Sequence, residues 1–338
     1  MASKSAHAVA VAVAVLLLLL SPPAPAALAA APQLSVDFHA ASCPQLESIV
    51  RSAVQAALQR DIALAAGLIR IFFHDCFPQG CDASVFLTGT DSEQAQPPNA
   101  NSLQPRALQL VDDIRAMVHA ACGPTVSCAD ISALATRDAV VLSGGPSYSP
   151  SLGQLDSLAP APANLVNQLP GPGTSSVQQL INLFGSRGMR DAADLVALSG
   201  GHTVGKSRCP FVRPQDDAFS RKMAANCSVD PNGKQDLDVV TPVTFDNGYY
   251  IALTRSQGVF TSDMALIRDP ITAPIVRQFA QDKAAFFSNF TKSIIKLSKV
   301  PRPGGNVGEI RRSCSRSNRS PRLVETTGSE EEGFAASA

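Results

Sequence analysis

Two histidine-centred segments carry residue types that could do chemistry. In Gly67–Leu87, GLIRIFFHDCFPQGCDASVFL, Arg70 and His74 stand four apart. On a helix that spacing sets a guanidinium and an imidazole a turn apart on one face. The imidazole can take the proton from an incoming peroxide and return it to the leaving oxygen. The fixed positive charge stabilises the negative charge developing on the breaking O–O bond. An isolated pair of this kind is more often a surface arginine beside a satisfied core histidine, but its neighbours shift the balance. Asp75, Asp82 and Ser84 supply hard oxygens. Cys76 and Cys81 could pin the loop between them so that backbone carbonyls converge, and oxygens in a short clamped loop suit calcium better than zinc.

The second segment, DLVALSGGHTVGKSRC from Asp194 to Cys209, ends a helix at Gly200 and Gly201 and presents His202. An iron porphyrin takes one axial imidazole of this kind, and no cysteine appears free to serve instead. Of the five histidines, His7 lies in a leader-like stretch, while His39 and His119 sit outside any chemical constellation and read as ordinary surface or helix residues. Three further stretches look bland alone. EQAQPPNANS holds Glu93 and Asn99 as loop residues, Asp263 in GVFTSDMAL reads as a helix cap, and DVVTPVTFDN reads as a turn entering a helix.

The elements that must position these residues are mostly helical. Apolar residues recur three and four apart over Leu46–Leu58 and over Ile62–Phe73, the latter behind a capping Asp61. Similar patterns cover Ala107–Ala121, Cys128–Leu142, Ser176–Arg187, Asp191–Leu198, Asp216–Ala225, Asp246–Arg255 and Ile271–Asn289, whereas strand alternation is scarce. Ser143–Thr174 is rich in Gly, Pro and Ser and reads as an irregular surface segment and lobe boundary.

Residues 1–31 combine a lysine, an apolar run from Ala8 to Leu20 and small residues at Ala27, Ala29 and Ala31, the pattern of a signal peptide. That run falls short of the roughly 20 residues needed to span a bilayer. Lys plus Arg and Asp plus Glu balance at 28 each, so no basic field for nucleic acid exists. All 8 cysteines follow the leader and none forms C-x-x-C. An even number in an exported chain reads as disulfides rather than metal thiolates, with 105 possible pairings that spacing does not resolve. Residues 319–338 lack apolar periodicity and read as a disordered tail.

Together the two histidine segments resemble the distal and proximal signatures of the class III (secretory) plant haem peroxidases, from about Gln33 to Cys314. The resemblance implies a mainly α fold over residues 32–318, with two helical lobes enclosing the haem, four disulfides and very little β structure. It implies hydrogen-peroxide-dependent one-electron oxidation of small phenolic donors at one b-type haem, with two calcium ions, in peroxide removal, cell-wall phenol oxidation and stress response. Arg70 would polarise the peroxide, His74 would act as acid and base, Asn99 would hold the His74 imidazole, and Phe73 would flank the haem. His202 would be the iron ligand. Asp263 on its second nitrogen would give the imidazole anionic character, favouring higher oxidation states of iron.

The first calcium would take Asp75, Asp82 and Ser84 by side chain, Pro78 and Gly80 by carbonyl, and Glu93, which also joins the Asn99 network, through water. The second would take Thr203, Asp238, Thr241, Thr244 and Asp246. Pro170 in LPGPG matches a proline whose carbonyl helps hold aromatic donors. The implied disulfides are Cys43 with Cys122, Cys76 with Cys81, Cys128 with Cys314, and Cys209 with Cys227. Chain entropy assigns the third, which closes the longest loop, on the order of 5 kcal/mol.

The chain departs from the family pattern in places. Pro78 and Gln79 replace Val and Asn, the Cys209–Cys227 segment is short, and Tyr148 stands where a tryptophan is common. Gln154 in GQLD replaces an arginine that would pair with Asp130, so a buried Asp130 needs another donor or a raised pKa. That substitution supports an alternative reading, a non-catalytic calcium-stabilised wall or carbohydrate-binding protein on the same scaffold. An intracellular ascorbate peroxidase would share both histidines, but the leader and eight cysteines argue against it. The expected chain is a secreted monomer with no membrane span. Sequons stand at Asn226, Asn289 and Asn318, with Asn289 the plausible glycan site, and the tail could direct the protein to the vacuole.

Overall fold

Helical periodicity becomes helix almost throughout the computed structural model, which describes residues 33–100 and 102–319. The expected leader at 1–31 and the tail from 320 lie outside the described residues. Leu46–Arg60 (α1) buries Val50, Val54 and Ala57 at helical spacing. Leu64–Gln79 (α2) begins after the predicted start, with Asp61 accepting the Ala63 N–H at 3.1 Å, and runs well past Phe73. Pro78 falls in the last turn, so its missing N–H removes one i→i−4 bond, to the His74 carbonyl, where the helix is already ending. Asp75 and Cys76 therefore lie on the helix, and the Cys76–Cys81 disulfide ties its last turn to the following turn instead of clasping a loop.

The helices Pro105–Cys122 (α3), Cys128–Leu142 (α4), Val177–Ser186 (α5), Ala192–Ser199 (α6) and Ala218–Val229 (α7) follow the predicted patterns closely. Gly248–Thr254 (α8) is shorter than expected, and Thr261–Arg268 (α9) was not read as a helix from its pattern. The single helix expected over Ile271–Asn289 is two, Ala273–Gln281 (α10) and Lys283–Leu297 (α11). Asp282 between them is extended, donates its N–H to Gln278 at 2.8 Å and caps the Ala285 N–H at 2.9 Å, so one aspartate closes one helix and opens the next. Lys206–Arg208 (β1) and Lys234–Asp236 (β2) form one antiparallel pair, with Ser207 opposite Gln235.

Two apolar cores share α2 as a common wall. Leu64, Leu68 and Ile71 face a core built with α1, α3 and α4, including Val54, Ile114 and Leu134. Ile69, Phe72 and Phe77 face a second core with Phe184, Val196, Tyr250, Phe279 and Phe286. Burial on both flanks holds α2 in place, and it carries Arg70, Phe73 and His74. The four disulfides pair Cys43–Cys122, Cys76–Cys81, Cys128–Cys314 and Cys209–Cys227, and the third spans 186 residues.

The segment 143–174 is irregular, with one helical turn at Ala163–Val166, but its centre is interior. Ser151, Leu152, Gly153, Gln154 and Asp156 are buried, and bridges to Ser35 and Glu309 satisfy the backbone. Asp156 accepts the first α4 N–H groups, from Cys128 at 3.1 Å and Ala129 at 3.0 Å. Satisfied polar groups are what allow a Gly- and Pro-rich chain to run inside rather than on the surface.

Candidate active site and its oxygen clusters

On α2, Arg70 and His74 come out one turn apart, and a short helical turn at Pro97–Ala100 brings Asn99 against the imidazole. Asn99 Nδ2 donates to the Glu93 carbonyl at 2.9 Å, so its Oδ1 faces His74 Nδ1 at 2.5 Å and accepts that N–H. His74 Nε2 is left with its lone pair and no hydrogen bond among the described residues. Burial and then the Arg70 charge push the His74 pKa well below its ordinary value, against the smaller pull of Asn99. Arg70 has no carboxylate partner among the described residues: Nη2 reaches the Pro98 carbonyl at 3.5 Å, Nε is buried without a hydrogen bond, and burial lowers its pKa to about 10. Phe73 stacks on Phe77 at 4.8 Å with Phe184 beyond.

The first oxygen cluster sits just past His74. Asp75 accepts the Ala83 N–H at 3.0 Å, and Asp82 accepts the Ser84 N–H at 3.0 Å. Burial, followed by the charges of Asp82 and Glu93, raises the Asp75 pKa, and burial pushes Glu93 up to about 7. Ser84 Oγ and Glu93 Oε2 are buried without hydrogen-bond partners. Crowded carboxylates and unsatisfied oxygens are the donor set of a hard cation. Glu93 meets Asn99 through its backbone carbonyl, while its side chain turns to the Ala161 N–H at 2.8 Å. Gln79 Nε2 donates to Asp82 at 2.8 Å, and Arg302 lies 3.7 Å from the same carboxylate. Among the described residues no three acidic, imidazole or thiolate side chains already stand in metal-ligating geometry, so hydroxyl and carbonyl oxygens would have to complete either site.

His202 lies on the 3₁₀ turn Gly200–Thr203 that continues α6. The following chain passes close to α2: a β-carbon on Gly205, which has φ +97°, would stand 2.7 Å from that of Ala66. At Gly201 an added methyl would meet Ile69 at an ordinary 3.5 Å, so alanine and glycine both fit there. His202 Nδ1 donates to Asp263 Oδ1 at 2.9 Å, and Asp263, in the first turn of α9, also accepts the Phe260 N–H at 2.9 Å. A carboxylate only accepts, so Nδ1 carries the proton of this bond and Nε2 is the nitrogen left to meet a metal. The edges of Tyr249 and Phe260, with ring centres 5.8 and 5.3 Å away, fix the imidazole plane. The side chain remains 31 % exposed while Asp263 is buried.

The second oxygen cluster adjoins it. Thr203 Oγ1 donates to Asp238 at 3.0 Å, and Thr241 Oγ1 lies 3.1 Å from Asp238 and 2.8 Å from Asp246. The Thr244 carbonyl is 3.4 Å from Thr203 Oγ1. All five predicted ligands thus converge. A β-carbon on Gly248 would stand 2.3 Å from Thr241 Oγ1 and 2.4 Å from Asp238 Oδ2, so only glycine leaves this cradle open. Pro170 lies partly buried in a loop held to α9 by the Ser262 N–H on the Pro172 carbonyl at 3.0 Å.

These donors fit a haem. One imidazole offers Nε2 from a fixed ring, and a second imidazole and a guanidinium without a carboxylate partner among the described residues stand on the neighbouring helix. The orphaned Arg70 Nε in particular awaits an acceptor.

Three residues escape a reading of the sequence. Tyr249 donates its hydroxyl to Asp263 Oδ1 at 2.9 Å, Phe260 packs on His202, and His39, read as an ordinary residue, is buried with Nε2 2.7 Å from Asp130 Oδ2. His39 is the donor that the Gln154 substitution leaves missing. Asp130 also accepts the N–H groups of Gly153 at 2.8 Å and Gln154 at 3.1 Å, while the Gln154 side chain reaches the Ser298 carbonyl at 3.3 Å. The clue for Tyr249 was its position three residues after Asp246, on the helix facing the SD pair. His39, distant in sequence from Asp130, offered no clue. With Asp130 satisfied, the departure that favoured a non-catalytic scaffold protein loses its force.

Comparison with known proteins agrees. A family model described as peroxidase matches residues 50–282. The cationic peroxidase SPC4 of Sorghum bicolor is 44% identical over 303 residues, 85% of this chain and 83% of that protein. Peroxidase 2 of Oryza sativa subsp. japonica is 42% identical over 304 residues, 86% of this chain and 95% of the relative. Peroxidase 12 of Arabidopsis thaliana is 43% identical over 299 residues, 84% and 83% of the two chains. With its helical lobes, four disulfides and paired histidines, the chain belongs to the class III plant peroxidases and is a hydrogen-peroxide-dependent oxidoreductase.

Proposed function

We propose that the chain oxidises small phenolic donors one electron at a time at a single b-type haem held by His202. The observation that carries this reading is the pairing of two imidazoles, each with Nδ1 protonated toward an oxygen and Nε2 free. The haem, when bound, supplies a redox centre that accepts two electrons' worth of oxidation from peroxide. The chain's own residues do the rest. His74 Nε2 takes the peroxide proton and returns it to the departing oxygen, and Arg70 faces the charge that develops there. Asn99 keeps His74 in the tautomer that can do so, and Phe73 walls the pocket with an apolar ring. Asp263 holds the His202 ring and draws on its Nδ1 proton. Pro170, in the loop anchored to α9, offers a carbonyl to the hydroxyl of an aromatic donor.

Two calcium ions would complete this arrangement: one on Asp75, Asp82, Ser84, Glu93 and the carbonyls of Pro78 and Gly80, the other on Thr203, Asp238, Thr241, Thr244 and Asp246. The unsatisfied Ser84 and Glu93 oxygens support the first, and the cradle at Gly248 supports the second. The 1–31 stretch would direct export, residues 32–318 would act as a monomeric catalytic domain, and the tail could add a vacuolar address. Among the described residues no helix is long and apolar enough to cross a membrane. Purified protein should hold one haem and turn over guaiacol only with peroxide. Folded protein that binds no haem would contradict the reading.

A further inference from the structure

We propose that Tyr249 is a positioning residue for the proximal imidazole, its hydroxyl sharing the Asp263 oxygen that accepts the His202 N–H and so limiting how strongly Asp263 draws that proton. The proposal rests on the assignment of His202 as the haem ligand. Asp263 Oδ1 accepts from His202 Nδ1 at 2.9 Å and from the Tyr249 hydroxyl at 2.9 Å. The other oxygen, Oδ2, is held by the Phe260 N–H at 2.9 Å. Tyr249 is fully buried, with its ring centre 5.8 Å from that of His202 and the two planes nearly perpendicular, so water does not compete for this geometry.

The consequence follows from what one carboxylate oxygen can give. Two donors on Oδ1 divide its charge, and in a dry site each hydrogen bond weakens the pull on the other. A hydroxyl on Asp263 therefore leaves the Nδ1 proton more firmly on His202 and its Nε2 a poorer electron donor. Without the hydroxyl, Asp263 would pull harder on Nδ1–H, and the ring would gain imidazolate character. Packing alone does not call for a hydroxyl here, because a phenylalanine would fill the same volume.

The test uses the haem-loaded protein and its Tyr249→Phe variant. Resonance Raman of the ferrous forms should place the iron–histidine stretch at higher wavenumber in the variant, and the Fe(III)/Fe(II) potential should move negative. A purely structural tyrosine would change thermal stability and leave both unmoved. To guard against a variant that folds poorly, Asp263→Asn is measured alone and combined with Tyr249→Phe. The hydroxyl should have little further effect once the carboxylate is gone, and a shift as large in the double variant as in the single one would overturn the proposal. Absence of any iron–histidine stretch in the unaltered protein would instead refute the His202 assignment beneath it.

Discussion

The two histidines of the site have the same local device and opposite partners. His74 Nδ1 faces the neutral amide oxygen of Asn99, whereas His202 Nδ1 faces the carboxylate of Asp263. A neutral acceptor fixes the tautomer and favours the imidazolium less than burial and the Arg70 charge disfavour it. With burial and Arg70 also opposing protonation, His74 remains a free base. A carboxylate enriches the ring and suits it to donate electron density to a metal. Burial separates them further: His74 is buried, while His202 keeps an exposed edge. The acceptor behind each ring, more than the ring itself, assigns its task.

The largest effect should come from breaking the proximal side. His202→Ala should abolish haem retention and peroxide-dependent turnover, read by the Soret band of the purified protein. Asp263→Asn makes the proximal acceptor neutral like the distal one, and loss of such a partner should reduce metal affinity or turnover about 10–100-fold. The reciprocal change, Asn99→Asp, gives the distal ring a carboxylate. In the unaltered protein the peroxide reaction should hold through weakly acidic pH and fall only as pH drops through the depressed His74 pKa. In Asn99→Asp that fall should move to higher pH, as a pH–rate profile will show. The sign for stability is parallel: a buried His74 binds fewer protons than the unfolded chain. Its contribution is therefore present above the ordinary histidine pKa of about 6.5 and is lost as pH falls.

A third histidine–carboxylate pair gives the control. His39 and Asp130 are buried 2.7 Å apart, and neither is hydrogen-bonded to Arg70, His74 or His202. His39→Phe should cost about 3 kcal/mol of stability by leaving Asp130 without its side-chain partner. Thermal melting would show this, and peroxide turnover per folded molecule should be unchanged. Gln154→Arg in the same background should recover part of the loss.

The sequence made some of this legible and not the rest, for physical reasons. Arg70 and His74 were readable because a helix converts a spacing of four into a shared face. The Ile271–Asn289 pattern was misread because Asp282 breaks a helix without the marks of proline or glycine, its side chain capping one helix where its backbone closes another. Interior irregular chain at 151–156 was taken for surface, since Gly and Pro report backbone freedom and not burial. His39 and Tyr249 were missed as partners because carboxylates reached only through tertiary packing leave no periodicity behind. The first oxygen cluster was legible in part, as Asp75, Asp82 and Ser84 beside two cysteines, whereas the second needed the family resemblance, and the convergence of Thr203 with Asp238, Thr241 and Asp246 is a property of folded chain alone.

The most direct test mixes the ferric haem-loaded protein with hydrogen peroxide and follows the Soret band by stopped flow, in the unaltered chain and in His74→Leu. A distal free base predicts a fast second-order spectral change slowed about 10²–10⁴-fold by the substitution, with haem content and guaiacol binding retained. An equal rate in the two proteins would contradict the role assigned to His74 and, with it, the division of labour between the two imidazoles.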